Sequence, residues 1–350
     1  METHLKNMLK LQQINKVPDD LLTIENSTDL HTIFSQPTII HLQGKIKEPL
    51  FISVLLHANE DTGLFAIQAL LKRYQDKELP RSISIFFGNM AAAKQGVRRL
   101  DGQPDYNRVW PGTELEECPE TKLMQDVVDS IDKLQPFASI DIHNNTGKNP
   151  HYGCINNLDE SSLHLASLFS RIVVYFETPK GVQSMAMSKL CPSVTLECGK
   201  PHLANGIEHA TDFLETVLHL ETLEPHTNSK PDVDIYHTVA RITIPKNNTF
   251  TFAKDNLDHF ENDIVFAENI DKINFTQLPK NTVLGHIRQD SNANLIAWDD
   301  HEKDVTNDYF SVKGTELTLT KSLMPAMLTL DKKIIRQDCL CYLMENINVK

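Results

Sequence analysis

Residues 51–63 read FISVLLHANEDTG, a mostly apolar run that ends abruptly in a histidine and, three positions later, a glutamate. The apolar part is typical of a buried β-strand. His57 and Glu60 therefore follow the carboxyl end of a predicted sheet strand, which is where α/β folds hold ligands. A single His-x-x-Glu pair is weak evidence, because a chain with 15 histidines produces such pairs by chance. The remainder of the sequence decides whether this pair has a function.

Strands and amphipathic helices alternate in the segments that follow. LFAIQALLKRYQDKEL (residues 64–79) has apolar residues at helical spacing, and SISIFFGN (residues 82–89) is a short buried strand. The alternation continues to about residue 222, with FASIDIHN, VVYFE and SVTLECG as further strands. Short, continuously apolar strands between helices predict an α/β domain whose mixed, largely parallel sheet is flanked by helices.

The spacing of apolar residues and the content of polar residues change twice along the chain. Residues 1 to about 35 carry spaced leucines and isoleucines and predict a helical lead-in to a first domain over residues 1–222. ETLEPHTNSKPD is polar and contains two prolines, which indicates a linker over residues 223–232. Beyond it, segments such as YHTVARITIPK and KIIRQDCLCYL have a period of two, and they predict a smaller β-rich domain over residues 233–350.

Composition excludes several classes of partner. A net charge of −13 and the lack of a basic run argue against nucleic-acid binding. The longest apolar runs are far shorter than the roughly 20 residues that cross a bilayer, and the N-terminus lacks the features of a secretion signal. Six scattered cysteines form neither a CxxC zinc pattern nor a disulfide framework. We expect a soluble, cytoplasmic protein without a membrane partner, and the oligomeric state, a homo-oligomer included, stays open.

Two further strands end in polar residues as the first does. In SIDIHNNTG, His143 ends an apolar strand, with Asp141 two residues earlier on the same face. In SVTLECG the strand ends in Glu197. Two histidines and one glutamate are the three-ligand set that leaves a fourth zinc position open, as catalytic zinc sites require. A carboxylate that leaves a buried strand suits a general base beside such a site.

A loop of a different kind lies between these strands. VRRLDGQPDYNRVWPG (residues 97–112) is rich in arginine, aspartate and asparagine. A guanidinium binds a carboxylate through two parallel hydrogen bonds, and a second arginine near a scissile carbonyl stabilises an oxyanion. Taken alone, such a loop is more often a solvated surface turn.

Four short motifs follow one another along the chain: His57-x-x-Glu60, Asp105-Tyr106-Asn107-Arg108, Asp141-Ile142-His143 and Glu197-Cys198-Gly199. In that order they resemble the zinc carboxypeptidase superfamily, and within it the succinylglutamate desuccinylase and aspartoacylase branch. The resemblance covers residues 45–220 and extends loosely over the β-rich tail. It implies a zinc carboxypeptidase-like fold and a zinc-dependent hydrolase.

The resemblance also implies a role for the residues that match the motifs around the metal. His57, Glu60 and His143 are implied to bind one zinc ion, with Glu197 as base and proton shuttle. Asp105 is implied to orient His57, in line with the general need to fix the ring of a ligand histidine.

Substrate contacts are implied in the same way. Asn107 and Arg108 are expected to hold the α-carboxylate of the substrate, and Arg98 to polarise the carbonyl and hold the oxyanion. Arg99 stands next to Arg98 and leaves that choice open. Tyr309, in NDYFSVKGTELTLT, is expected to reach the substrate from the C-terminal domain.

One segment departs from the family pattern. Where aspartoacylase-like sequences carry an arginine for the acidic side chain of the substrate, GVQSMAMSKLCP (residues 181–192) offers methionine, alanine and serine. Specificity for N-acetylaspartate is therefore not supported.

The sequence thus predicts a zinc-dependent hydrolase that cleaves the amide bond of an N-acyl amino acid or a related small substrate bearing a carboxylate. Two alternatives keep the metal site: a metallocarboxypeptidase that acts on short peptides at their C-termini, and a zinc-binding protein without catalysis. A third is a doubly wound domain in which the ordered motifs are coincidental.

Overall fold

The computed structural model describes residues 9–224, 232–254 and 261–347. These residues form two compact units. Residues up to 144 and residues 151–233 belong to the first unit, and residues 145–150 and those from 234 onwards belong to the second. Most of the linker predicted over residues 223–232 lies outside the described residues, and the division into domains at that linker stays a prediction.

A mixed, mostly parallel sheet forms the centre of the first unit. Its strands are β1 Gln12–Ile14, β2 Thr38–Leu42, β3 Gly44–Val54, β4 Leu79–Phe87, β5 Ala138–His143, β6 Tyr152–Ile155, β7 Ile172–Tyr175 and β8 Ser193–Glu197. They lie side by side in the order β1-β2-β4-β3-β5-β8-β6-β7. Strands β4, β3, β5 and β8 are parallel neighbours, whereas β2 runs antiparallel to β4 and β6 antiparallel to β8. The carboxyl ends of β3, β5 and β8 therefore meet at one edge of the sheet.

Helices cover both faces of this sheet. They are α1 Thr62–Arg73, α2 Met90–Ala93, α3 Pro119–Asp132, α4 Glu160–Phe169, α5 Gln183–Met187 and α6 Ala204–His219. Apolar residues of α3 and α5 pack in one core cluster with Phe51 of β3. Gly63 of α1 lies so close to Val54 of the same strand that a β-carbon would come within 2.7 Å of its side chain. Phe51 and Val54 are three positions apart on one strand and so point to opposite faces.

The second unit is rich in strands. They are β9 Asp234–Thr243, β10 Phe250–Ala253, β11 Ile264–Ala267, β12 Val283–Ile287, β13 Ile296–Trp298, β14 Phe310–Lys313, β15 Glu316–Leu319, β16 Met324–Ala326 and β17 Cys341–Asn346, with two short helices, α7 Thr306–Tyr309 and α8 Lys332–Gln337. Strands β10-β11-β12-β15-β14 form a separate sheet, while β17 pairs with β9 and β16. The predicted fold class, a largely parallel α/β sheet with a smaller β-rich C-terminal part, is confirmed.

The predicted helical lead-in is wrong for the residues that the structure describes. Within residues 9–35 there are two 3₁₀ helices, Asp19–Leu22 and Ser27–Thr32, and the strand β1, but no α-helix. Gln12 donates its backbone N–H to the carbonyl of Pro37, which ties this segment to the edge of the sheet. Pairing with a neighbouring strand thus overrides the local spacing of leucines. Residues 1–8 lie outside the described part of the chain.

One other local expectation differs from the structure. The start of KIIRQDCLCYL is helix α8 rather than strand. Asp331 caps this helix by accepting hydrogen bonds from the N–H groups of Lys333 and Ile334. In the described parts of the chain, none of the helices combines the length and the apolar character that crossing a membrane requires.

Candidate metal and catalytic site

His57 and Glu60 lie in the turn between β3 and α1, as the sequence predicts, and both are buried. The turn starts at Leu55, whose φ of 58° lies in the left-handed region that a leucine rarely adopts. The Nδ1 atom of His57 lies 2.9 Å from Oε1 of Glu60. The chain thus bends sharply at the end of a rigid strand and directs both side chains to the same point.

His143 joins this pair from the neighbouring strand. It is the last residue of β5, which runs parallel to β3, and its side chain is also buried. Its Nδ1 atom lies 2.7 Å from Oε2 of Glu60 and 3.1 Å from Nδ1 of His57. One ligand atom from each of the three residues lies within 4.8 Å of the others, which is close enough to share a metal ion.

The outer nitrogens of both histidine rings face carboxylates. Nε2 of His57 lies 2.9 Å from Oδ1 of Asp105, and Nε2 of His143 lies 2.7 Å from Oδ2 of Asp141. A ring that donates its Nε2 proton to a carboxylate turns the lone pair of Nδ1 inward. The two Nδ1 atoms lie 3.1 Å apart with a carboxylate beside them, and their lone pairs repel one another unless a proton or a metal ion lies between them. The donor set therefore fits a divalent cation that accepts nitrogen and oxygen ligands.

Electrostatics in the cluster favour positive charge. Burial alone would raise the pKa of Glu60, but His57 and His143 outweigh it and hold that pKa far below its usual value. Burial likewise opposes a proton on His143, yet Asp141 and Glu60 raise its pKa well above the usual value. The same carboxylates that attract a proton to this position attract a metal ion.

Glu197 stands beside the cluster on the next parallel strand. It is the last residue of β8, in register with His143 of β5, and the Cys198 N–H donates to the His143 carbonyl at 3.0 Å. Burial, together with the charge of Glu197, raises the pKa of the Cys154 and Cys198 thiols well above the usual value. Both thiols therefore stay protonated, and neither is suited to act as a nucleophile.

The arginine-rich loop contributes one guanidinium to the cluster. The Nη2 atom of Arg98 lies 3.1 Å from Oδ2 of Asp105, and its Nη1 lies 3.5 Å from Oε1 of Glu60. Arg99, in contrast, donates to the carbonyl of Gln103 at 2.7 Å. Burial would raise the pKa of Asp105, but His57 and Arg98 outweigh it and hold that pKa well below its usual range.

Asn107 and Arg108 lie in the same loop, and Asn107 contacts His143. The Nδ2 atom of Asn107 is 3.2 Å from Nε2 of His143, and its Oδ1 accepts a hydrogen bond from the N–H of Gln183. Arg108 donates to the carbonyl of Asn107 at 2.7 Å. Asn107 therefore lies beside a candidate metal ligand, and Arg108 lies beside Asn107.

Tyr309 belongs to the second unit. Its hydroxyl donates to the carbonyl of Val239 at 3.3 Å, and Nζ of Lys321 lies 4.5 Å from the centre of its ring. The expectation that Tyr309 binds substrate stays a prediction.

Sequence reasoning missed two buried polar residues around the site. Asn144, directly after His143, forms hydrogen bonds with Thr62 and Gly199. Asp61, directly after Glu60, accepts two hydrogen bonds from His202. The sequence does show a polar residue directly after the candidate ligands Glu60 and His143. It does not show their hydrogen-bond partners, because those partners lie far away in the sequence.

Residues 48–223 match the family model described as the succinylglutamate desuccinylase/aspartoacylase catalytic domain. No curated protein sequence matches the chain significantly. The matched segment is just over half of the chain and contains the ligand cluster, Glu197 and the arginine-rich loop. The chain belongs to the succinylglutamate desuccinylase/aspartoacylase family.

Solved structures show the same fold at low sequence identity. A succinylglutamate desuccinylase/aspartoacylase from Rhodobacter sphaeroides is similar with a TM-score of 0.59 and 14% identity, over 88% of this chain and 89% of that one. The succinylglutamate desuccinylase from Chromobacterium violaceum has a TM-score of 0.55 and 14% identity, over 87% and 86% of the two chains. Murine aminoacylase 3 also has a TM-score of 0.55 and 14% identity, over 87% and 96%.

Proposed function

We propose that this protein is a zinc-dependent hydrolase that removes the acyl group from an N-acyl amino acid or a related small substrate bearing a carboxylate. The observation that carries the proposal is the buried cluster of His57, Glu60 and His143, with Glu197 at the adjacent strand end. Membership of the desuccinylase/aspartoacylase family, whose relatives are named for the removal of acyl groups, supports the choice of reaction.

Zinc is the metal that this donor set suits best. Two imidazoles and one carboxylate are a common ligand set of catalytic zinc, and they leave a fourth position for water or substrate. Asp105 and Asp141 would hold the two imidazoles in the tautomer that binds metal through Nδ1. What zinc would supply there is Lewis-acid activation of a water molecule and of the scissile carbonyl.

The protein's own groups would complete the reaction. Glu197 accepts a proton from the attacking water and returns it to the nitrogen of the leaving amine, a role worth about 10² to 10⁴ in rate. Arg98 faces the oxygen on which negative charge develops, and a donor in that role contributes about 3 to 4 kcal/mol. Its contacts with Glu60 and Asp105 hold the guanidinium beside the ligand cluster, which favours Arg98 over Arg99 for this role.

Substrate binding is assigned to the loop that carries Asn107 and Arg108. Asn107 lies next to His143 and Arg108 bonds the Asn107 carbonyl, and a guanidinium with a neighbouring amide suits an α-carboxylate. Tyr309 is proposed as a further contact on the strength of the family resemblance. Helix α5, with the sequence QSMAM, presents no cation for an acidic acyl group.

The test is a panel of N-acyl amino acids and short peptides assayed with zinc-loaded and chelator-stripped protein. Turnover of N-acyl amino acids that is lost on stripping and restored by zinc supports the proposal. Turnover confined to peptide C-termini would make the protein a carboxypeptidase instead, and activity that survives stripping would refute a metal mechanism.

The role of Glu197 is tested by Glu197→Gln, with Glu208→Gln as matched control. Glu208 is an exposed acid on α6, so its substitution should leave kcat unchanged. Glu197→Gln should lower kcat by at least about 10²-fold, because it removes the base. Zinc content should stay near one ion per chain, since Glu197 is not among the proposed ligands. Turnover within a few fold of the unsubstituted protein would remove Glu197 from the mechanism.

A further inference from the structure

Asn144 has a position that no assigned role explains. It follows the candidate ligand His143 directly, and its side chain is buried. Its carboxamide connects two other segments. The Oδ1 atom accepts a hydrogen bond from the N–H of Thr62 at 3.2 Å, and Nδ2 donates to Oγ1 of Thr62 at 2.8 Å and to the Gly199 carbonyl at 2.9 Å.

The contact with Thr62 holds the segment that carries Glu60. Thr62 is the first residue of α1, and the first N–H groups of a helix have no partner within the helix. The side chain of Asn144 supplies one. The backbone N–H of Asn144 also donates to Oε2 of Glu60 at 3.0 Å, and this bond does not depend on the side chain at position 144.

The contact with Gly199 holds the segment that carries Glu197. Pairing of β5 with β8 ends at His143 and Glu197, and the next bond, from the Cys198 N–H to the His143 carbonyl, is still between backbone groups. At the next position along both segments, a side chain replaces the backbone as donor, because Nδ2 of Asn144 donates a hydrogen bond to the Gly199 carbonyl. Gly199 has a φ of 71°, so the chain turns away from the sheet at that residue.

A second link joins the same two segments. Asp61 is fully buried, and its two oxygens accept from the backbone N–H of His202 at 3.1 Å and from its Nδ1 at 2.5 Å. The segment 198–203 is therefore hydrogen-bonded at Gly199 to Asn144 and at His202 to Asp61, and each of these partners is adjacent in sequence to a candidate metal ligand. Asn144 is the link nearer to Glu197.

We propose that Asn144 is a positioning residue that fixes the carboxylate of Glu197 relative to the metal ligands through the Gly199 carbonyl. The proposal rests on the proposed function, because Glu197 is the base of that reaction. Misplacement of a reacting group by about 1 Å can cost about 10²-fold in rate. Asn144 touches neither substrate nor metal, so its loss lowers kcat and leaves KM and the zinc content unchanged.

The experiment compares Asn144→Ala with Thr62→Val. Both variants lose the bond between Asn144 and the Thr62 hydroxyl, but Thr62→Val keeps the bonds of Asn144 to the Thr62 N–H and to the Gly199 carbonyl. Asn144→Ala should lower kcat by about 10- to 100-fold, with KM within about threefold and one zinc per chain. Thr62→Val should keep kcat within about threefold. Equal effects of the two substitutions on kcat, or loss of zinc from Asn144→Ala, would overturn the proposal.

Hydrogen exchange gives a second readout that does not depend on turnover. Amides of residues 198–203 should exchange faster in Asn144→Ala than in Thr62→Val, because only the former releases Gly199. Wild-type protein that turns over no member of the substrate panel refutes the proposed function, whereas equal exchange in the two variants refutes the link to Gly199.

A surface variant covers the case in which Asn144→Ala does not fold. The side chain of His202 is mostly exposed, so His202→Ala should fold while it loses one of the two bonds to Asp61. We expect faster exchange over residues 198–203 and a kcat lowered several-fold at unchanged KM. Faster exchange with an unchanged kcat would show that the position of this segment does not limit turnover and would overturn the proposal.

Discussion

Replacing Asp141 with asparagine should weaken zinc binding about tenfold while it keeps the fold. Asp141 is fully buried, with Oδ2 2.7 Å from Nε2 of His143 and Oδ1 accepting from the Ser53 hydroxyl at 2.7 Å. Asparagine has the same shape, and its oxygen can still accept from His143 while its amide group donates to the Ser53 oxygen. The substitution therefore removes the charge and preserves the contacts.

The magnitude follows from the loss of that charge. A hydrogen bond to an ionised group contributes about 1.5 to 3 kcal/mol, and a neutral one about 0.5 to 1.5 kcal/mol. The difference of roughly 1 to 1.5 kcal/mol corresponds to about a tenfold change in Kd. It acts on the metal because the carboxylate makes the opposite nitrogen of His143 a better ligand.

The assay is competition for zinc against a chromophoric chelator at neutral pH. Asp132→Asn is the control, since Asp132 is an exposed acid at the end of α3 and is not one of the candidate ligands. A Kd for Asp141→Asn within twofold of the unsubstituted protein would refute the idea that Asp141 tunes His143. An equal change in both variants would refute it as well.

Two other substitutions test the charge network of the first unit. Arg98→Lys keeps the positive charge but loses the planar guanidinium that contacts Glu60 and Asp105 together. In steady-state assays kcat should therefore fall by about 10²-fold. An unchanged kcat would exclude Arg98 from the reaction. Burial would raise the pKa of Glu215, but its hydrogen bonds with Tyr74 and Arg73 outweigh it and lower that pKa below the ordinary 4.5. The stabilisation by Glu215 is therefore fully present above pH 4.5 and is lost as the pH falls through its lowered pKa in the folded state. In urea unfolding, Glu215→Gln should reduce the loss of stability between about pH 5 and pH 3, and an unchanged pH dependence would contradict this assignment.

The sequence was most informative where strands end. A buried run followed at once by a histidine or an acid can be recognised locally, and β3, β5 and β8 each end in this way. The parallel sheet then brings the ends together, because parallel neighbours have their carboxyl ends at one edge. The alternation of strands and helices therefore predicted that His57, Glu60 and His143 lie close together, and the family resemblance added the expectation that they bind zinc.

The errors have a different physical origin. The segment before β2 has helical spacing, but its backbone pairs with a strand more than twenty residues away. The partners of Asn144 and Asp61 are likewise distant in the sequence, since Gly199 and His202 lie in another loop. A pattern within one segment carries no information about a hydrogen bond to another. The failure to predict helix α8 has a local cause. Asp331 is a recognisable N-cap residue, but the alternation of apolar residues after it favoured a strand.

Residues 145–150 belong to the second unit, which affects when this segment can fold during synthesis of the chain. Thr146 bonds the hydroxyl of Thr329, Lys148 lies 3.4 Å from Asp271, and Asn149 accepts from the N–H of Met327. A β-carbon on Gly147 would lie 2.0 Å from the Leu328 carbonyl oxygen. During synthesis, the six residues that directly follow the His143–Asn144 pair must wait for residues 271–329 before they can adopt this arrangement. A protein cut after residue 233 would keep every proposed ligand but lose the partners of this loop, so a single cut cannot isolate the first unit from the loop 145–150 that interrupts it.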